Sequence, residues 1–395
     1  MKHTNTEFFN TSLLKRFREV INSSNIFHTI PEYKCLWNLI CVVMDRLDSS
    51  VKYLNAHIDH PTSEDDLILF LVHATIIKDG IYKLHENVYK TKPNTIDSRK
   101  WFKEARDIKG PIFNKENCPT DDVFFEYLRA MAFAHPFEVS KRGRPFIEQN
   151  EIQCSPWVFT HSVLPWEEDA IGLRVYTNKR DETQSIFIQF KNLKEYLKER
   201  YLLLEVFIKW GLEKISQQNK KWMKTKVERG KGALITLSNI CEIMDERYVS
   251  HYAIDDAIAI LRTQFDSEPN ISVVNHVKDM ITQKIPSICD CVDTLNYAEI
   301  DNLLNFLYER PSGLHNHAHY ELEKIFDYLE DERGDCLPGS DEEWGLIQAV
   351  NFYNAYANRF VAIDFQKMSY LEIKILIRSA LIIGREREDS ISKSI

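Results

Sequence analysis

Arg129 and His135 stand six positions apart in Phe124-Phe125-Glu126-Tyr127-Leu128-Arg129-Ala130-Met131-Ala132-Phe133-Ala134-His135-Pro136. These two residue types suit phosphodiester chemistry carried out without a metal. A histidine titrates near neutral pH and can move the proton of a 2′-hydroxyl or of a leaving oxygen. An arginine offers fixed charge and a planar fork of donors where negative charge builds on phosphorus oxygens. Pro136 disfavours helical φ/ψ at the residue before it, so His135 is expected just past a helix end, its ring free to swing back toward Arg129. The plainer alternative pairs Arg129 with Glu126 one turn back and leaves His135 to cap the helix. Arg310 with His315 or His317 repeats the spacing.

Basic residues follow on both sides of the chain's middle. Lys141, Arg142 and Arg144 lie just downstream of His135, and a second run holds Lys220, Lys221, Trp222 and Lys224. Lysines and arginines around an aromatic ring suit single-stranded RNA, through phosphate charge and base stacking. A solvated linker has the same composition. His161, in Val158-Phe159-Thr160-His161, is a further candidate, although a lone strand histidine is more often structural. In His315-Asn316-His317-Ala318-His319-Tyr320-Glu321-Leu322-Glu323, a helix would place His315, His319 and Glu323 on one face, a spacing able to ligate zinc. Pro311 and Gly313 favour a loop there instead. No metal site is assigned and no cofactor is expected: phosphate-binding glycine loops and serine nucleophile elbows are missing from the sequence.

The Arg129–His135 pair resembles the R-x4–6-H motif of the HEPN superfamily, and the resemblance covers about residues 31–215. It implies a four-helix bundle, the motif closing one helix, and RNA cleavage without metal in a cleft between two protomers. Arg129 and His135 are the positions carried over. The expected activity is then an endoribonuclease of the toxin or phage-defence kind, acting on RNA as a homodimer, with a regulatory protein on the acidic C-terminal part. Two other readings stay open: a non-catalytic helical interaction protein, and a metal-dependent hydrolase using the 315–323 histidines.

The elements that must position these residues are mostly helical. The 395 residues are 44% hydrophobic and 28% charged, with only 12 Gly and 13 Pro, so long helices are expected rather than many strands. Apolar residues recur at three and four over 7–22, 31–57, 63–89, 121–135 and 192–216. A short amphipathic piece spans 101–108. Period-two patterning in 158–159, 171–176 and 186–190 marks a small β insertion near 156–190. The predicted organisation is a helical bundle over 1–220, a basic linker over 221–232, and an all-α domain over 233–395. Further helices are expected near 233–248, 252–265, 272–284, 296–309, 317–332, 342–358 and 369–383, with a frayed tail after Gly384.

Charge follows the same division. Residues 1–231 carry 36 Lys and Arg against 31 Asp and Glu, and residues 232–395 carry 14 against 28, giving −9 overall. One half fits a polyanion and the other does not, although acidic surfaces also simply confer solubility. The eight cysteines, including Cys336, form no C-x-x-C pair and read as reduced thiols. No signal-peptide core or membrane-spanning run is seen, so the cytoplasm is the expected compartment and no membrane partner is foreseen.

Overall fold

The computed structural model describes residues 7–161, 169–179, 183–330 and 339–392. The chain divides into two compact units, Met1–Gln217 and Gln218–Ile395. The fold is mainly α-helical with one small sheet of short strands.

The first unit holds α1 (Thr11–Asn22), α2 (Ile26–Thr29), α3 (Pro31–Ala56), α4 (Glu64–Tyr89), α5 (Asp121–Arg129), α6 (Phe190–Tyr201) and most of α7 (Leu204–Trp222). Its core runs along the predicted apolar faces, with Met44, Leu47, Val51 and Leu54 of α3 against Leu67, Phe70, Leu71 and Ile77 of α4. Gly80 lets α3 and α4 approach closely: a Cβ there would lie 3.1 Å from Leu47 Cδ1. Ser63 starts α4 with a reciprocal cap, its hydroxyl accepting from the Asp66 amide at 3.1 Å while the Asp66 carboxylate accepts from the Ser63 amide at 3.0 Å.

The sheet is antiparallel and larger than the patterning implied. Its strands are β1 (Arg106–Asp107), β2 (Gly110–Pro111), β3 (Val139–Ser140), β4 (Ile152–Cys154), β5 (Val158–Phe159), β6 (Ala170–Thr177) and β7 (Gln184–Gln189). The order is β2-β1-β7-β6-β4-β3, with β5 also on β6. The amphipathic piece expected over 101–108 is a bend and turn over 101–104 followed by β1. The reason is Asp121, whose carboxylate accepts the amides of Lys100, Trp101 and Phe102 at 2.8, 2.9 and 3.1 Å and draws that backbone out of helix. The single helix expected over 192–216 is two helices, broken at Leu202–Leu203. The polar residues 216–222 stay helical to the end of α7, since Lys and Gln are good helix formers.

The second unit is all-α: α8 (Ala233–Glu246), α9 (Tyr252–Arg262), α10 (Asn270–Thr294), α11 (Tyr297–Leu304), α12 (Ala318–Tyr328), α13 (Asp341–Ala355) and α14 (Tyr370–Ser392). A continuous apolar core joins them, including Ile240, Ile254, Ile281, Ile288, Leu322, Phe352 and Leu376. Two helices outrun their predicted ends. α10 continues through Pro286, which sits on its exposed face, and α14 continues eight residues past Gly384 where a frayed tail was expected. Among the described residues Cys35, Cys41, Cys118, Cys154, Cys241, Cys289 and Cys291 are free thiols; Cys336 lies outside them. No described helix is long and apolar enough to cross a membrane.

Candidate functional site

α5 opens with Thr120, whose hydroxyl accepts from the Val123 amide at 3.3 Å. The two acids that follow do more than complement the helix dipole. Asp121 and Asp122 are both buried. Asp122 accepts from the hydroxyls of Tyr82 at 2.8 Å and Tyr196 at 2.7 Å, and from Arg200 Nη2 at 3.1 Å. Arg200, fully buried, also donates to Glu199 at 2.7 Å and to the Thr95 carbonyl at 3.1 Å. Burial pushes the phenols of Tyr82 and Tyr196 far up, with the Asp122 carboxylate adding to it. Burial opposes the charge on Arg200, but the facing phenols and the Asp122 and Glu199 carboxylates outweigh it and hold the guanidinium charged.

One turn later, Glu126 bridges Lys78 of α4 and Arg129. Arg129 Nη2 lies 2.7 Å from Glu126 Oε2, and Lys78 Nζ contacts the other carboxylate oxygen. The expected alternative, Arg129 paired with Glu126, is thus present, with the two side chains 29% and 31% exposed. Arg129 Nε is buried and makes no hydrogen bond. Burial disfavours charge on Lys78, yet Glu126 and Asp79 more than offset this and hold the ammonium above the ordinary lysine range.

Beyond Arg129 the helix widens into a π turn over Ala130–Ala134, closed by the His135 amide on the Ala130 carbonyl at 2.8 Å. Single π turns of this kind recur at functional sites. His135 leaves helical geometry (φ −146°, ψ 52°) directly before Pro136 and is exposed. It lines a cleft of about 520 Å³ with Phe133, Phe137, Ser140, Arg142 and Arg144. A second cavity of about 500 Å³ is lined by Lys78, Tyr82, Lys92, Asp122, Glu126 and the same Arg142 and Arg144. Arg129 is among the lining residues of neither.

Arg142 and Arg144 of the first basic cluster therefore share a cleft with His135, and Lys141 and Arg129 do not line it. Lys141 and Arg142 are exposed. Arg144 is half-buried, donates to the Ser140 carbonyl at 2.8 Å, and keeps a buried Nε without a hydrogen bond. Burial lowers its pKa from the ordinary arginine value. The motif helix is fixed to the sheet from below, where the Tyr127 hydroxyl donates to Gln153 Oε1 of β4 at 2.8 Å.

The remaining candidates scatter. Lys220 and Lys221 end α7 and Lys224 follows, all exposed, while the half-buried Trp222 gives its carbonyl to Arg247 at 2.8 Å. His161 is exposed at the end of the β5 segment. The 315–323 histidines do not share a helix face, because α12 begins only at Ala318. His315 instead contacts Glu321 at 2.8 Å, and His319 Nδ1 lies 2.6 Å from Arg310 Nη1, a cation that competes with any metal there.

Sequence reasoning missed Lys78, Tyr82, Asp122 and Arg200. The signal was available for two of them: Lys78 falls between Ala74, Ile77 and Ile81, and Arg200 between Tyr196, Leu197 and Leu204, each a charge on an otherwise buried stripe. Comparison with family profiles, with curated proteins and with solved structures gives no match for this chain.

Proposed function

We propose that the first unit is a metal-independent endoribonuclease whose reacting centre is the cleft at the end of α5. The observation that carries this reading is an exposed His135, set by a π turn and Pro136 on the rim of a cleft that also holds Arg142 and Arg144. In this scheme the 2′-oxygen attacks phosphorus and the bond to the 5′-oxygen breaks, leaving a cyclic phosphate and a 5′-hydroxyl. His135 moves the proton at one of these oxygens. Arg142 and Arg144 hold the phosphate oxygens as charge builds, and Arg129, its Nε unspent, orients the helix end through Glu126. RNA as substrate, a homodimer joining two such clefts, a toxin or phage-defence setting and a regulator on the acidic unit all belong to the same proposal and rest on the HEPN resemblance.

A second reading has its own observation. The Lys78–Glu126–Arg129 chain engages Arg129 structurally, which fits a module that binds without cutting. Single-stranded RNA incubated with the purified protein in EDTA separates the two. Cleavage by the wild type that falls by about 10²–10⁴-fold in His135→Ala, and strongly in Arg142→Ala, supports the enzyme. RNA binding without cleavage, with affinity lowered in Arg142→Ala, selects the binding module. Cleavage unchanged in His135→Ala overturns the proposed centre.

A further inference from the structure

Away from the α5 cleft, the turn between α8 and α9 gathers a thiol, an imidazole and two carboxylates that the sequence scatters over fifteen positions. Cys241 and Asp245 lie one turn apart on α8, His251 immediately precedes α9, and Asp255 is in the first turn of α9. His251 Nδ1 is 2.8 Å from Asp255 Oδ2 and its Nε2 is 3.0 Å from Asp245 Oδ1. Cys241 Sγ is 3.8 Å from Asp255 Oδ1, and one donor atom each from Cys241, His251 and Asp255 fall within 4.8 Å of one another.

We propose that Cys241, His251 and Asp255 form a binding site for a zinc-class divalent metal ion. Sulfur, nitrogen and carboxylate oxygen are the donor types zinc takes, at about 2.3, 2.0 and 2.1 Å. A tetrahedron with those bond lengths sets its donors roughly 3.3–3.7 Å apart, so the present separations need side-chain adjustment and no movement of either helix. A thiolate and one carboxylate neutralise the dication. Asp245 fills the remaining role: a ligating histidine usually donates its other ring N–H to a carboxylate, which fixes the tautomer and the ring plane, and Nε2 already faces Asp245.

The backbone that carries the donors is held in place. Arg247, which lies between Asp245 and His251 in the sequence, is buried, and its guanidinium donates to the carbonyls of Val292, Trp222 and Thr225 at 2.7, 2.8 and 2.8 Å. Val249 N closes the turn on the Met244 carbonyl at 2.9 Å. Three protein donors leave the fourth position to water, the arrangement of open rather than closed zinc sites. Asp255, 56% exposed in its side chain, places that position at the surface.

Metal-free full-length protein is titrated with Zn²⁺ and, separately, with Co²⁺ as a spectroscopic substitute. One equivalent of Zn²⁺ bound, with a thiolate-to-cobalt charge-transfer band and tetrahedral d–d absorption, is the expected result. Cys241→Ser abolishes the charge-transfer band, and Asp255→Asn, at an exposed position that folding tolerates, weakens affinity at least tenfold. Asp245→Asn weakens it about 10–100-fold while leaving the charge-transfer band in place. Failure to bind, or binding unchanged in both Cys241→Ser and Asp255→Asn, overturns the site and leaves His251 as a histidine clamped between two carboxylates.

Discussion

The two units each bury an arginine completely, and they solve the same electrostatic problem in opposite ways. Arg200 in the first unit is met by carboxylates, Asp122 and Glu199, inside a ring of tyrosine hydroxyls. Arg247 in the second is met by the ends of the backbone, the carbonyls of Trp222, Thr225 and Val292, with the Tyr297 hydroxyl at 3.1 Å. A charge–charge centre ties three helices of a bundle to one point and leaves little tolerance for loss of either member. A guanidinium spread over carbonyl dipoles instead stitches a turn and a helix end together, and its removal strands the carbonyls of Trp222, Thr225 and Val292.

That difference predicts the largest effect. Asp122→Ala takes from buried Arg200 one of its two carboxylates, leaving Glu199, and from the Tyr196 hydroxyl its acceptor, and is expected to destabilise the first unit by about 3–5 kcal/mol. Arg247→Met costs about 2–3 kcal/mol, because the stranded carbonyls are neutral. Urea unfolding followed by tryptophan fluorescence measures both; equal losses would erase the distinction drawn here.

The comparison also explains what was legible in the residues. Helices α3, α4 and α5 announce themselves through an apolar period of three and four and through caps at Ser63 and Thr120. β1 to β4 do not, because two- or three-residue strands carry no period. The break at Leu202–Leu203 has no Gly or Pro to mark it. His135 was placed past its helix end by Pro136 alone, as the structure has it, but the π turn and the shift of cationic lining from Arg129 to Arg142 and Arg144 depend on the path of residues 136–144. Asp122 reads as an ordinary helix-start acid until Arg200, seventy-eight positions later, folds onto it. Cys241, Asp245, His251 and Asp255 are invisible as a group because no recognised ligand spacing links two helices across that turn.

Close packing supplies the next contrast. Alanine at Gly172 in β6 puts a methyl into the Ile186 carbonyl of β7 and 2.7 Å from the Phe187 ring. Alanine at Gly384 in α14 meets the Tyr356 hydroxyl, with Tyr356 Cζ at 2.9 Å. Backbone cannot yield and a side chain partly can. Gly172→Ala is therefore expected at the upper end of about 1–3 kcal/mol and Gly384→Ala at the lower end, read from denaturation midpoints. The reverse order would show the sheet to be the softer element.

The smallest effect separates the units by pH. Burial, with His57 adding to it, holds the His73 imidazole below its ordinary value. A lowered histidine favours the folded state in its neutral form, so its contribution is intact above about pH 6.5 and is lost as the pH falls toward the depressed folded value. His73→Gln is expected to flatten the acid side of the stability profile slightly between pH 7 and 5. A profile that does not change places the titration elsewhere.

Pro286 carries a consequence of its own. With no amide hydrogen to give the Thr282 carbonyl, the longest helix of the second unit lacks one rung on its solvent side. For local opening it is two helices in series, one of about sixteen residues and one of about nine. A nine-residue segment has too few rungs to repay nucleation by itself. The stretch from Pro286 to Thr294 therefore owes its persistence to tertiary contacts: Ile288, Cys289 and Val292 buried in the core, Asp290 and Asp293 on Arg229, and the Val292 carbonyl on Arg247; its amides are expected to exchange when those contacts release.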